Sequence, residues 1–130
     1  LPLEVRFWRF VYKTDTCWLW TGKNNARGYA VFSTGEKSFL AYRFAYNLSV
    51  GPVPEGLELD HTCEVIMCVN PAHLEPVTHA VNMRRLAERR RTRAVELAMA
   101  RARIADLETQ LRIALDELHA SASNAPSRNP

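Results

Sequence analysis

Cys63, Cys68 and His73 follow one another at five-residue intervals, and Cys17 stands far upstream. Three thiols and one imidazole are the soft donor set that zinc takes in a closed, four-coordinate site. The spacing lets one loop wrap an ion while Cys17 ties that loop to the N-terminal part of the chain. An odd number of cysteines fits poorly with a disulfide framework and suits an intracellular chain that uses thiols as ligands. Such a site adds stability that a head of roughly 80 residues finds hard to draw from its core alone. The alternative is three reduced thiols and an unrelated histidine. A second group is Asp60-His61, with Asn70 and Asn82 downstream. A neutral imidazole is the side chain best suited to take a proton near neutral pH. Carboxylate and amide oxygens are hard donors of the kind Mg²⁺ takes, one or two at a time while it keeps several waters.

Something must position these residues, and the chain offers a compact aromatic head and a long helix. All three Trp, all five Gly and all three Cys precede His79, whereas His79 to Ala120 holds neither Gly nor Pro. Cys17 to Trp20 reads as a strand, and Tyr29–Ser33 with Ser38–Leu40 as a hairpin around Thr34-Gly35-Glu36-Lys37. Ala41 to Leu48 has the spacing of a short helix stopped by Gly51-Pro52. Leu57-Glu58-Leu59 reads as a short strand running into Asp60-His61. His73 to Val77 reads as a second strand, confined to an edge by Pro76. Thr78 is placed to cap the long helix, which puts Asn82 in its first turn, facing the strand that bears Asp60.

The string LELDHTCEVIMCVNPAHLEPVTHAVNMRR, residues 57 to 85, resembles the core of the HNH endonucleases, a branch of the His-Me finger (ββα-metal) nucleases. CWLWTG, RGYAVF and AYRFAYNL resemble the segment preceding that core in phage members, so the likeness covers about residues 5 to 86. The Cys-x4-Cys-x4-His element also resembles the zinc site of the His-Cys box homing endonucleases. The resemblance implies an α+β fold for the head, a small mixed unit with a β-hairpin and a ββα-metal (His-Me) finger. The long C-terminal helix that follows, with the spacing of a coiled coil, is read from the segment after His79 itself. The resemblance also implies a Mg²⁺-dependent enzyme that hydrolyses phosphodiester bonds of double-stranded DNA, by nicking or cutting. His61 would be the general base, Asp60 and Asn82 the Mg²⁺ ligands, and Arg43 a bidentate clamp on the phosphate. Cys17, Cys63, Cys68 and His73 would hold structural Zn²⁺, and Asn70 would fix the loop. A more literal reading takes His61, Asn70 and His73 as the three family letters; it is disfavoured because His73 does not lie on the helix. Relatives commonly carry Ala-His-Arg where this chain has Ala41-Tyr42-Arg43. The relatives also suggest a phage protein acting in a bacterial cytoplasm.

Composition bounds these expectations. Hydrophobic residues at 47% and charged ones at 24% of 130 residues are globular values. No apolar run is long enough to span a membrane, and LPLEVRFWRF lacks the apolar stretch of a signal peptide. The net charge of +3 conceals a basic stretch. Residues 84 to 103 hold eight Arg and two Glu, or +6, which leaves −3 for the rest. Arg84, Arg85, Arg89, Arg90, Arg91 and Arg93 suit a surface that tracks phosphates, and Lys23, Asn24, Asn25 and Arg27 form a polar loop suited to a groove. Farther on, Leu97, Ala100, Ile104, Leu107, Leu111, Ala114 and Leu118 alternate three and four apart, the pattern of a parallel homodimeric coiled coil. The expected organisation is a nuclease head over 1–86 with its core at 57–86, a basic helix and seam over 87–120, and a disordered tail over 121–130. The rival reading is a non-catalytic, zinc-stabilised DNA-binding protein with a basic helix and zipper.

Overall fold

A computed structural model describes residues 1–127; the last three residues of the expected tail lie outside the described residues. The chain divides into two units, Leu1–Arg84 and Arg85–Pro130. It is an α+β chain of small antiparallel hairpins followed by one long helix. Helix α1 (Leu3–Trp8) leads into β1 (Val11–Lys13), which pairs with β2 (Trp18–Trp20). Then β3 (Val31–Ser33) pairs with β4 (Ser38–Leu40), and α2 (Ala41–Ser49) follows directly. The last hairpin joins β5 (Leu57–His61) to β6 (Leu74–Thr78), with a 3₁₀ turn at Pro71–His73 just before β6, and α3 (His79–Ser123) completes the chain.

Phe7 organises the core. It is fully buried, and its ring lies 4.9–5.2 Å from those of Trp8, Trp20, Phe32 and Phe44. Burying a phenylalanine contributes roughly 1.5–3 kcal/mol, so α1 belongs to the core even though its six residues are too few to show a helical period. Helix α2 buries Ala41 and Ala45 against the same cluster. It ends where the amides of Val50 and Gly51 both return to the Tyr46 carbonyl, at 2.8 and 3.2 Å. Gly51 there takes φ 129°, which side chains disfavour.

The β5–β6 hairpin sets which side chains share a face. Its register puts Asp60 opposite Glu75 and His61 opposite Leu74. Leu59 and Leu74 are buried with Tyr46, and Tyr42 packs against them. Side chains alternate along a strand, so Leu59 and His61 share the α2 side while Glu58 and Asp60 share the other. Pro76 pairs with Leu59 in a sheet of two strands, where an absent N–H can face outward. The Val81 N–H donates to Thr78 Oγ1 at 3.3 Å, the bond of an N-cap.

Local details depart from the sequence expectations. Strand β5 continues through His61, and His73 lies in the 3₁₀ turn, not in β6. The turn forms because the buried Asn70 accepts the Ala72 N–H at its side-chain oxygen. In the second unit α3 runs to Ser123, beyond the expected end at Ala120, and none of its residues is buried.

Candidate functional site

The metal-ligand cluster is assembled by pairing between segments distant in sequence. The Trp20 N–H donates to Met67 O at 2.9 Å and the Val69 N–H to Trp18 O at 2.8 Å, with Leu19 bridged to Cys68. The loop carrying Cys68 is thereby laced to β2, next to Cys17. Cys63 sits inside a turn that the Glu64 N–H closes on His61 O at 3.0 Å, and Glu64 takes φ 59°. The ligand atoms of Cys17, Cys63, Cys68 and His73 all lie within 4.8 Å of one another. His73 Nδ1 is 3.6 Å from Cys17 Sγ and 3.5 Å from Cys68 Sγ. A tetrahedral zinc with Zn–S about 2.3 Å and Zn–N about 2.0–2.1 Å separates sulfur from nitrogen by about 3.6 Å. The observed edges match that figure, and the three-sulfur, one-nitrogen set is that of a metal site such as zinc. The Asn70 N–H points at Cys68 Sγ from 3.4 Å, as suits a thiolate. Burial first, and then the neighbouring Cys68 and Cys63 thiols, push the Cys17 thiol up to about 12. Burial chiefly raises Cys68 as well. A cation reverses this preference, because it makes the crowded thiolates the favoured form.

Asn70 closes the same loop. Its side-chain nitrogen donates to Thr16 O at 2.9 Å while its oxygen takes the Ala72 N–H at 3.1 Å. His61 sits at the end of β5 with Nε2 3.1 Å from Cys68 O. A carbonyl only accepts, so Nε2 carries a proton, which in the neutral ring leaves the lone pair on Nδ1. The Tyr42 ring stands edge-on to His61 with centroids 4.7 Å apart. Cys68 therefore acts twice, placing its sulfur in the ligand cluster and its carbonyl on the His61 ring.

Asp60 is 4% exposed, on the opposite strand face from His61. Asn82, in the first turn of α3, donates its side-chain N–H to Glu58 Oε2 at 2.6 Å. His79 Nδ1 meets Glu58 Oε1 at 2.5 Å. These two bonds, Asn82 first, hold the Glu58 carboxyl below the usual carboxylate range. Asn82 thus lies on the face shared by Glu58 and Asp60. Sequence reasoning overlooked Glu58, although its place two residues ahead of Asp60 puts it on the same strand face.

The candidate DNA contacts belong to several elements. Arg43 is exposed on α2 beside Tyr42. Lys23, Asn24 and Arg27 are exposed in the β2–β3 loop, which lines an open groove of about 770 Å³ together with Trp20 and Phe32. Asn25 is spent on closing that loop, since its side-chain oxygen accepts the Arg27 and Tyr29 amides at 3.0 Å each. On α3, at about 100° per residue, Arg85, Arg89 and Arg93 fall on one stripe while Arg90 and Arg91 face other ways. Arg84 is exposed. Leu97, Ile104, Leu107, Leu111 and Leu118 are all exposed along the second unit. Arg103 bonds Asp106 on its own helix at 2.9 Å. Among the described residues no helix is long and apolar enough to cross a membrane.

Comparison with known proteins bears on this geometry. Residues 39–84 match the family described as HNH endonuclease. Protein 7.7 of Escherichia phage T7 is 35% identical over 60 residues, covering 46% of this chain and 46% of that protein. The uncharacterized gene 5.3 protein of Enterobacteria phage T3 is 36% identical over 59 residues, covering 41% of this chain and 58% of that protein. The match thus spans about half the length of these curated relatives. No solved structure matches the chain.

Proposed function

We propose, with the HNH endonuclease match over residues 39–84 as premise, that the chain is a divalent-cation-dependent DNA endonuclease. The observation that carries the reading is His61, fixed in one tautomer by the Cys68 carbonyl at 3.1 Å, next to the buried Asp60. His61 Nδ1 takes the proton of the attacking water. Asp60 and Asn82 offer hard oxygens on one face of the β5–α3 element, a donor set that suits Mg²⁺. The cation, when bound, supplies charge stabilisation at the phosphate and the leaving oxygen. Arg43 steadies the phosphate, and the products carry 5′-phosphate and 3′-hydroxyl ends. Zn²⁺ on Cys17, Cys63, Cys68 and His73 is structural, and it keeps the Cys68 carbonyl where His61 needs it. Lys23, Asn24, Arg27 and the arginines of α3 follow the DNA backbone. Leu97, Ile104, Leu107, Leu111 and Leu118 join two copies in a parallel pair. The protein acts in the cytoplasm of a phage-infected bacterium.

The test is plasmid nicking with Mg²⁺. His61→Ala is expected to lower the rate by about 10²- to 10⁴-fold, and undiminished nicking by the folded variant would remove the base assignment. A second reading has one observation in its favour, the unburied arginine-rich α3. It makes the protein a non-catalytic, zinc-stabilised DNA binder. Tight DNA binding by a wild type that never cleaves, unchanged by Asp60→Ala, would select it.

A further inference from the structure

Glu58 has no part in the proposed reaction, yet it makes two bonds from β5 to the first turn of α3. We infer that Glu58 is a positioning residue for the cation site: its carboxylate orients the Asn82 amide so that the carbonyl oxygen is the end turned away as donor. The inference rests on Asn82 being a cation ligand.

An ionised carboxylate has acceptors and no donor. The Asn82 atom 2.6 Å from Glu58 Oε2 is therefore the NH₂ group, and Oδ1 occupies the other end of the amide. The distinction matters because an amide can turn over with almost no change of shape. Turned over, it would present N–H donors to a cation that accepts only oxygen. The clasp holds the carboxylate at both oxygens, since His79 takes Oε1 at 2.5 Å. His79 and Asn82 are three residues apart on α3, the spacing that puts two side chains on one helix face. Strand alternation sets Glu58 and Asp60 on the face toward them, so a single strand presents both the ligand Asp60 and the group that orients the second ligand.

Orientation can be separated from charge by exchange. Glu58→Gln offers Asn82 both a donor and an acceptor and removes one negative charge. Asn82→Asp alone sets two carboxylates face to face. The double variant Glu58→Gln/Asn82→Asp conserves the summed charge and restores a donor–acceptor pair, with the NH₂ now on position 58 and an oxygen of position 82 facing outward. The probe is Mn²⁺, titrated by electron paramagnetic resonance into the full-length, zinc-loaded chain without DNA, alongside Mg²⁺ titrations of plasmid nicking. Glu58→Gln is expected to weaken Mn²⁺ binding by about 10- to 100-fold, the range for a group that orients a metal ligand. It should raise the Mg²⁺ needed for half-maximal nicking more than it lowers the saturated rate. The double variant should regain most of the lost Mn²⁺ affinity. Wild-type affinity in Glu58→Gln, or a double variant no tighter than Glu58→Gln, would overturn the inference and leave the Asn82 ligand reading standing. A wild type that binds no Mn²⁺ would overturn both.

Discussion

The four proposed zinc ligands are not equivalent, and Cys17→Ser is the perturbation that exposes the difference. Cys63, Cys68 and His73 lie within one loop, so linking them through an ion closes only short stretches of chain. Cys17 is separated from Cys63 by ~46 residues. A cross-link closing a loop of that length removes about 4 kcal/mol of unfolded-chain entropy at room temperature. Cys17→Ser forfeits that contribution as well as one ligand. Cys63→Ser forfeits a ligand but keeps the long loop, because Cys17 stays joined to Cys68 and His73 through the ion. For a head of this size each kcal/mol moves the midpoint by about 4–8 °C. Zinc-loaded, reduced Cys17→Ser is therefore expected to melt about 15–30 °C below Cys63→Ser. The assay is thermal unfolding followed by tryptophan fluorescence, since Trp8, Trp18 and Trp20 all lie in the head. Chelation should lower the wild-type midpoint steeply and that of Cys17→Ser much less. Equal midpoints for the two variants, or a wild type indifferent to chelator, would refute the reasoning.

Three further outcomes follow from single features. The Glu58 carboxyl is held below its ordinary 4.5 by Asn82 and His79, and a depressed carboxyl stabilises above the unfolded value and loses that contribution as pH falls through the folded one. The stability gap between wild type and Glu58→Gln, read from urea melts, should be present above pH 4.5 and close below it; a gap that persists in acid would contradict the clasp. Replacing Arg85, Arg89 and Arg93 with Gln should flatten the dependence of log K on log salt for duplex DNA by about 3 units if each arginine meets one phosphate. An unchanged slope would take that stripe out of the interface. Ile104→Asp should convert a sedimenting dimer to monomer, and a wild type already monomeric at micromolar concentration would dispose of the seam.

What could be read from residue order follows from the range of the interactions involved. The β3–β4 hairpin and α2 were legible because a Gly turn and a four-residue apolar period are local signals. The Thr78 cap was legible for the same reason, its bond spanning three residues. Helix α1 and strand β1 were not, since six and three residues carry too little pattern and are held by Phe7 packing and by pairing with β2. The apolar neighbours of His73 read as strand, whereas the Asn70 cap bends the backbone first and leaves His73 in the 3₁₀ turn before β6.

The sequence by itself determined which atoms are on offer. It contains three soft thiols and a histidine, a hard carboxylate and amide, a histidine beside that carboxylate, and a basic helix without breakers. Only the tertiary structure decided how those atoms face one another. The donor set suggests that Cys17 joins the distant loop, but Cys17 reaches Cys68 because β2 pairs by backbone bonds with a loop ~50 residues on, a pairing that no local pattern marks. The His61 tautomer depends on where the Cys68 carbonyl lies, and the Asn82 orientation on which face of β5 carries Glu58. Tautomers and amide orientations are set by hydrogen-bond partners, and those partners are chosen by strand register and chain crossing, which no local pattern encodes.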